Sequence, residues 1–359
     1  MMLWVMPRGS ECANRDQYFS EPHVSFRPDG VFVHKRADGS FPIHGPKEYK
    51  GRRVPWKEVL FPVELKKDSL ETQSEQPRPI LPRQRAMTDD QQQDALGKHQ
   101  ELNAREQLAS YALEVLSSNP LKRSTMGMLV FGGRVEVWHF DRLGCLGSES
   151  IALNLEAHFQ LFVKMVVHIV KSSAETLGFE PSFKYDASWP HSLDICTLPL
   201  FVGEDGAPGE PIVTIASDKP LHRSRCLSGR GTSVLLVRLG QSFDPFVMKI
   251  GWQASERMSE ADFYKMAAGV EGLPDIKCSD TIVQSLREGV RGDLEKALPH
   301  DRKLPMDRSL RVLIMTEIYY PLTEAIHSKS LLDDPEMLLN VMKSLLSGEL
   351  LETDIFYIG

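Results

Sequence analysis

At 359 residues the chain is long enough for two domains with cores of their own, and its 42% hydrophobic and 25% charged residues are ordinary for a globular protein. The formal net charge of −7 leaves no whole-molecule basic field, so contact with nucleic acid would need a local basic patch. The five cysteines (Cys12, Cys145, Cys196, Cys226, Cys278) never form a C-x-x-C pair, which excludes a zinc-ribbon pattern and argues for reduced thiols in an intracellular, cytoplasmic or nuclear protein.

The opening "MMLWVMPRGSEC" has too short an apolar run for a signal peptide. "HVSFRPDGVFVHKR" and "PWKEVLFPVELKK" read as strands, rich in Val and Phe and bounded by Pro, Gly and Asp. Residues 68–100 are polar with several prolines and read as a mobile loop. "ELNAREQLASYALEVLSS" then spaces Leu102, Leu108, Tyr111, Leu113, Val115 and Leu116 as a helix would. "MGMLVFGGRVEVWHFDR" predicts a hairpin turning at Gly132-Gly133.

A second helix, "LEAHFQLFVKMVVHIVKSSAETL", stops at Gly178. Lys164 and His168 interrupt its apolar run, which falls short of a bilayer span, so no membrane role is expected. His158 and His168 lie on it without a partner cluster for metal, and Trp138 and His139 read as ordinary strand residues. From residue 211 the texture is strand, glycine turn, strand, helix, strand and helix. The expectation is an α+β protein: an N-terminal α/β unit over 1–150, a helical and irregular connector over 151–210, and an antiparallel sheet with a helix over 211–359.

In "LSGRGTSVLLV", Gly229 and Gly231 fit the first two positions of G-x-G-x-x-G-x-V, and Val234 takes the third. Glycine suits a loop whose backbone approaches phosphate closely and leaves its N–H groups free, although an ordinary hairpin turn reads the same way. Lys249 follows in "DPFVMKIGW", 20 residues after Gly229, where the lysine of V-A-I-K would stand. Glu260, in the helical "SERMSEADFYKMA", is the candidate ion-pair partner, with Glu256 and Glu271 as fallbacks. "RVLIMTEIYYPLTEAI" supplies a buried strand, an extended hinge and a helix.

This ordered set resembles the fungal-type protein kinase family, whose members carry a large extension ahead of the kinase lobes. The resemblance rests on "AREQLASYALEVLSSNPLKRSTMGMLVFGGRVEVWHFDRLGCLGSES", "LSGRGTSVLLV", "VMKIGW…RMSEADFY" and "MTEIYYPL". It implies ATP-dependent phosphoryl transfer to protein Ser/Thr, with Mg²⁺. Gly229 and Gly231 would lie over the phosphates, Lys249 would bind the α- and β-phosphates, and Glu260 would hold Lys249. The backbone of Glu317 and Ile318 would face the adenine.

The tail "GELLETDIFYIG" offers Asp354 for the catalytic aspartate, but Glu352 and Thr353 replace the His and Arg before it, and Gly359 stands at the Asn position. No D-F-G occurs in the sequence. The expectation is therefore a kinase truncated before its second lobe, catalytically inactive, pseudokinase-like, or an interaction module for protein partners, with weak ATP binding at most.

A second chemistry is written in the first 120 residues. Pro28-Asp29, Glu64-x-Lys66 and the helical pair Gln107 and Tyr111 resemble the P-D…(D/E)-x-K arrangement of restriction-endonuclease-like folds. Asp29 and Glu64 would ligate Mg²⁺ while Lys66 steadies the attacking water or the developing charge. Nucleic acid would be the partner only under this alternative, with "KEYKGRRVPWK" as the local basic patch. The plainer reading is a turn followed by polar residues on a half-exposed strand.

Overall fold

A computed structural model describes residues 2–5, 28–34, 56, 59–66, 89–183, 197–199, 212–215, 220–240, 242, 244–267, 273–299, 304–316, 320–321 and 357–358. The architecture is mixed α+β, built around two seven-stranded sheets. In the first, β1 (Met2–Val5), β2 (Gly30–His34) and β3 (Val59–Lys66) form an antiparallel meander. Helix α1 (Asp89–Ser118) then crosses over, and β4 (Ser124–Phe131) returns parallel to β3. A Gly132-Gly133 turn leads into β5 (Arg134–Asp141), which also pairs with β6 (Gly144–Gly147) and β7 (Ile151–Ala152). The strand order is β1-β2-β3-β4-β5-β6, with β7 on β5.

The run "VLFPV" in β3 is continuous rather than alternating because the sheet is covered on both faces. On one face Leu108, Tyr111, Val115 and Leu116 of α1 meet Val31, Val33 and Val59. On the other, Ile169 of α2 (Glu156–Lys171), with Phe162, Met165 and Val166, covers Phe61, Val63 and Met128. Helix α1 begins at Asp89, inside the stretch expected as a polar loop. Its first turns, "DDQQQDALGKHQ", carry little of the apolar periodicity that marks a helix in sequence.

The second sheet runs β13-β14-β12-β11-β9-β8, with β10 also on β11. In chain order these are β8 (Thr197–Pro199), β9 (Ile212–Ile215), β10 (His222–Arg223), β11 (Ser233–Leu239), β12 (Phe246–Ala254), then α3 (Glu260–Met266), β13 (Ile276–Val283), α4 (Val290–Lys296) and β14 (Arg308–Met315). Every pairing in this sheet is antiparallel. A short ladder joins β15 (Tyr320–Pro321) to β16 (Tyr357–Ile358).

Alternation along β12 decides what each face does. Met248, Ile250 and Trp252 point into the larger core with Leu235, Val312 and Ile314, where Leu121 and Phe183 join them from the first unit. Lys249, Gly251 and Gln253 therefore face the other way. The junction between the units is also charged. Asp141, at the end of β5, is fully buried; it accepts hydrogen bonds from Arg291 Nη1 of α4 at 3.1 Å and 3.3 Å and from the Leu143 N–H at 2.7 Å, and it contacts His139 Nε2 at 3.1 Å. Arg291 also donates to Glu295 at 2.8 Å, so the buried charges compensate one another.

Candidate functional site

The free face of β12 opens a cleft of about 220 Å³ bordered by Arg230, Lys249, Glu260, Asp280 and Arg311. Lys249 Nζ donates to Glu260 Oε1 at 2.8 Å, and the lysine side chain is 13% exposed against 26% for the glutamate. The pair exists because α3 starts where it does. Ser259 is the N-cap: its Oγ accepts from the Asp262 N–H at 3.1 Å and donates to Asp262 Oδ2 at 2.6 Å, an S-x-x-D version of the capping box. That cap puts Glu260 at the first helical position, beside the strand lysine and at the helix end that favours an acid. Glu256, one of the two fallbacks, is exposed, and Glu271 lies outside the described residues.

Three cations reach this cleft: Lys249, Arg230 and Arg311. Arg311 Nη1 donates to Gln253 Oε1 and to the Arg257 carbonyl, both at 3.0 Å. The Arg230 carbonyl accepts from the Trp252 N–H at 2.7 Å, which ties the glycine turn to β12. With Glu260 and Asp280 as the acids, the cleft has a one-charge positive excess, a setting that favours an anion. His222, across the ladder from Val234, has its pKa lowered by burial and then by the Lys249 charge.

Gly229 and Gly231 adopt φ of +106° and +51°, conformations that β-carbon-bearing residues resist. They bound Arg230, so the glycine turn forms one lip of the cleft. Val234, at the third glycine position, is buried with Val247, Ala261, Leu313 and Met315 beneath α3. Glu317, Ile318 and Asp354 lie outside the described residues.

The residues of the second pattern also meet. Tyr111 Oη donates to Glu64 Oε2 at 2.9 Å, Lys66 Nζ lies 2.5 Å from Glu64 Oε1, and Asp29 Oδ2 accepts from the Leu65 N–H at 2.8 Å. Burial raises the Glu64 pKa, against the lowering hydrogen bonds of Lys66 and Tyr111. Gln107, one turn before Tyr111, is exposed on α1 while Tyr111 is buried. Among the described residues, no three His, Cys, Asp or Glu side chains gather as a metal site. Nor is any described helix long and apolar enough to cross a membrane.

Arg230, Arg311 and Asp280 escaped the motif reading. Arg230 stands between the two glycines, and that position is the one signal that could have marked it. Arg311 and Asp280 reach the cleft only through the β13–β14 pairing, which no local spacing records.

Residues 88–357 match the family described as fungal protein kinase. The chain belongs to the fungal protein kinase family. The match begins just before α1 and therefore takes in β4–β7 and α2 as well as the second sheet, whereas Asp29, Glu64 and Lys66 precede it. No curated protein and no solved structure matches the chain.

Proposed function

We propose that these 359 residues form a nucleotide-binding module of the fungal protein kinase family in which the Lys249–Glu260 pair receives the phosphates of ATP. The observation that supports this reading most directly is the 2.8 Å contact between a strand lysine and a helix glutamate in a cleft that two arginines also line. A phosphate oxygen entering the cleft would meet Lys249 as a charge-assisted donor, held in place by Glu260 and partly desolvated by the strands around it. Arg230 and Arg311 would neutralise the remaining phosphate charge.

Mg²⁺ would arrive with the nucleotide, since the described cleft residues suit phosphate better than a metal. In kinases the metals are held by an Asn and a D-F-G aspartate, and no D-F-G stands in this sequence. The described cleft supplies the phosphate-binding part of that machinery, and the module is proposed to bind ATP through it. Its role would then be to engage protein partners in a nucleotide-dependent way. In a thermal melt, MgATP should raise the unfolding temperature of the wild-type chain and leave Lys249→Met unshifted. A wild type indifferent to ATP would remove the proposal.

One observation favours a second reading for the first sheet. Antiparallel β2 and β3, followed by α1 and a β4 parallel to β3, bring Asp29 alongside Glu64, with Lys66 at the rim and Tyr111 behind. Mg²⁺ at Asp29 and Glu64 would have to displace Lys66 from Glu64, and the freed ammonium could then face a phosphodiester. Magnesium-dependent nicking of plasmid DNA, abolished in Lys66→Ala, is the expected result under this reading; intact plasmid with the wild type would end it.

A further inference from the structure

The glycine turn is held from behind by the first unit. The β5–β6 turn carries Arg142, which is 2% exposed although it is an arginine in a two-residue connection. Its Nη2 donates to the Leu116 carbonyl of α1 at 3.0 Å, and its Nη1 donates to the Cys226 carbonyl of the segment entering the glycine turn. Its own carbonyl accepts from the Gly229 N–H at 3.0 Å. A β-carbon built on Gly231 would lie 2.4 Å from Cζ and 2.5 Å from Nε of this guanidinium. The end of a long side chain could normally move aside, but this one is buried and bound to two carbonyls from different units. Its Nε makes no hydrogen bond of its own. Absence of a side chain at Gly231 therefore has two causes: the +51° φ, and the guanidinium plane lying against its Cα.

We infer that Arg142 is a positioning residue for the nucleotide turn, so that the cleft around Lys249 keeps its shape only while the first unit is docked. The inference rests on the nucleotide reading for its functional meaning but not for its geometry. Gly229 is open on its Cα side, with nothing within 4 Å of a would-be β-carbon, and Gly231 is closed by Arg142. The turn thus presents one glycine with an open Cα face, tied to the Arg142 carbonyl by its N–H, and one glycine closed by the guanidinium. Anchoring has a direct consequence for binding. A loop already ordered in the free protein loses less conformational freedom when a ligand seats against it, and loosening it lowers affinity without touching a ligand contact.

The test measures amide hydrogen exchange over residues 227–232 in the full chain, alongside MgATP affinity by titration. Arg142→Met keeps the stem and removes both carbonyl contacts. It should speed exchange in the turn about tenfold or more, the scale of one lost charge-assisted hydrogen bond, while β4 and β5 stay protected. Gly231→Ala, which approaches the same contact from the loop side, should do likewise. Arg142→Lys, which supplies charge but not the planar fork, should restore only part of the protection. ATP affinity should fall in Arg142→Met in step with loop exchange.

Lys249→Met should weaken ATP binding tenfold or more with turn exchange unchanged, which separates the two ideas. If the wild type binds no ATP, the nucleotide reading fails and the anchoring is judged on exchange alone. Turn exchange within twofold of wild type in both Arg142→Met and Gly231→Ala would overturn the inference. Global unfolding of both would also overturn it, because the contact would then serve the fold and not the turn.

Discussion

Each of the two sheets carries a lysine and a glutamate in contact, and the pairs are built in opposite senses. On β3 the acid is the enclosed member: the Glu64 side chain is 2% exposed, while Lys66, its neighbour on the same strand face, is 36% exposed. On β12 the lysine is the more enclosed member, and its partner comes from a helix eleven residues further along. The enclosed partner sets what a site prefers, because the enclosed charge interacts with a ligand through less water. The first pair, with exposed Asp29 beside it, suits a cation. The second, with Arg230 and Arg311 beside it, suits an anion.

The sharpest way to break this comparison is to uncouple the units that carry the two pairs. Asp141→Asn removes the buried carboxylate shared by Arg291, His139 and the Leu143 N–H. Arg291 would keep Glu295 but lose its other buried carboxylate, which should cost about 3 kcal/mol, read as a lower urea midpoint. If the midpoint stays put, the junction does not depend on that ion pair and rests on its apolar part, where Leu121 and Phe183 enter the core of the second sheet.

A third lysine differs from both because, among the described residues, no acid pairs with it. Lys122 is wholly enclosed, donating to the Leu60 carbonyl at 3.1 Å and lying 5.1 Å from the Phe179 ring centroid. Burial pushes its ammonium from the ordinary 10.5 down to about 7. Between those values the unfolded chain binds more protons than the folded one, so stability rises with pH from about 7 towards 10.5. Lys122→Met should therefore stabilise the protein by about 2 kcal/mol near neutrality, once the lost contacts to the Leu60 and Val59 carbonyls and to Thr125 Oγ1 are set against the relieved charge. That gain should vanish as the pH approaches 10.5. A pH-independent gain would show that the ammonium is solvated and unlike the other two lysines only in lacking a partner.

The smallest effect concerns how Glu260 is held. Ser259→Ala deletes the N-cap of α3 and should cost about 1 kcal/mol in chemical denaturation. It should also weaken ATP binding modestly, since the first turn of α3 presents Glu260 to Lys249. Unchanged affinity at lowered stability would mean that the pair does not need the helix end.

How much of this was legible depended on distance along the chain. The Gly132-Gly133 hairpin, the buried face of α1 from Leu108 to Leu116, and the Lys249–Glu260 partnership all lie within a few turns or one strand–helix unit. Their spacing carries their contacts. Arg142 and Cys226, or Asp141 and Arg291, lie 84 and 150 residues apart, and no local pattern reports that they meet. Helix α2 was legible as an amphipathic helix, although it ends at Lys171 and not at Gly178. Phe159 and Leu161 on it are nonetheless 51% exposed, so single apolar residues did not by themselves mark the face that meets the sheet. The start of α1 was missed because its polar first turns lack apolar spacing. The second pattern was legible as Asp29, Glu64, Lys66 and Tyr111, but the exposure of Gln107 was not, because sharing a helix side does not mean sharing burial.

Under the proposed function the enclosed lysine of β12, and not the exposed lysine of β3, receives nucleotide phosphate. Calorimetric titration of the full chain with MgATP, in the wild type, Lys249→Met and Lys66→Met, tests it most directly. Lys249→Met should weaken binding tenfold or more, on the order of one charge-assisted contact, while Lys66→Met should bind as the wild type does. Equal affinity in all three, or a loss confined to Lys66→Met, would contradict it.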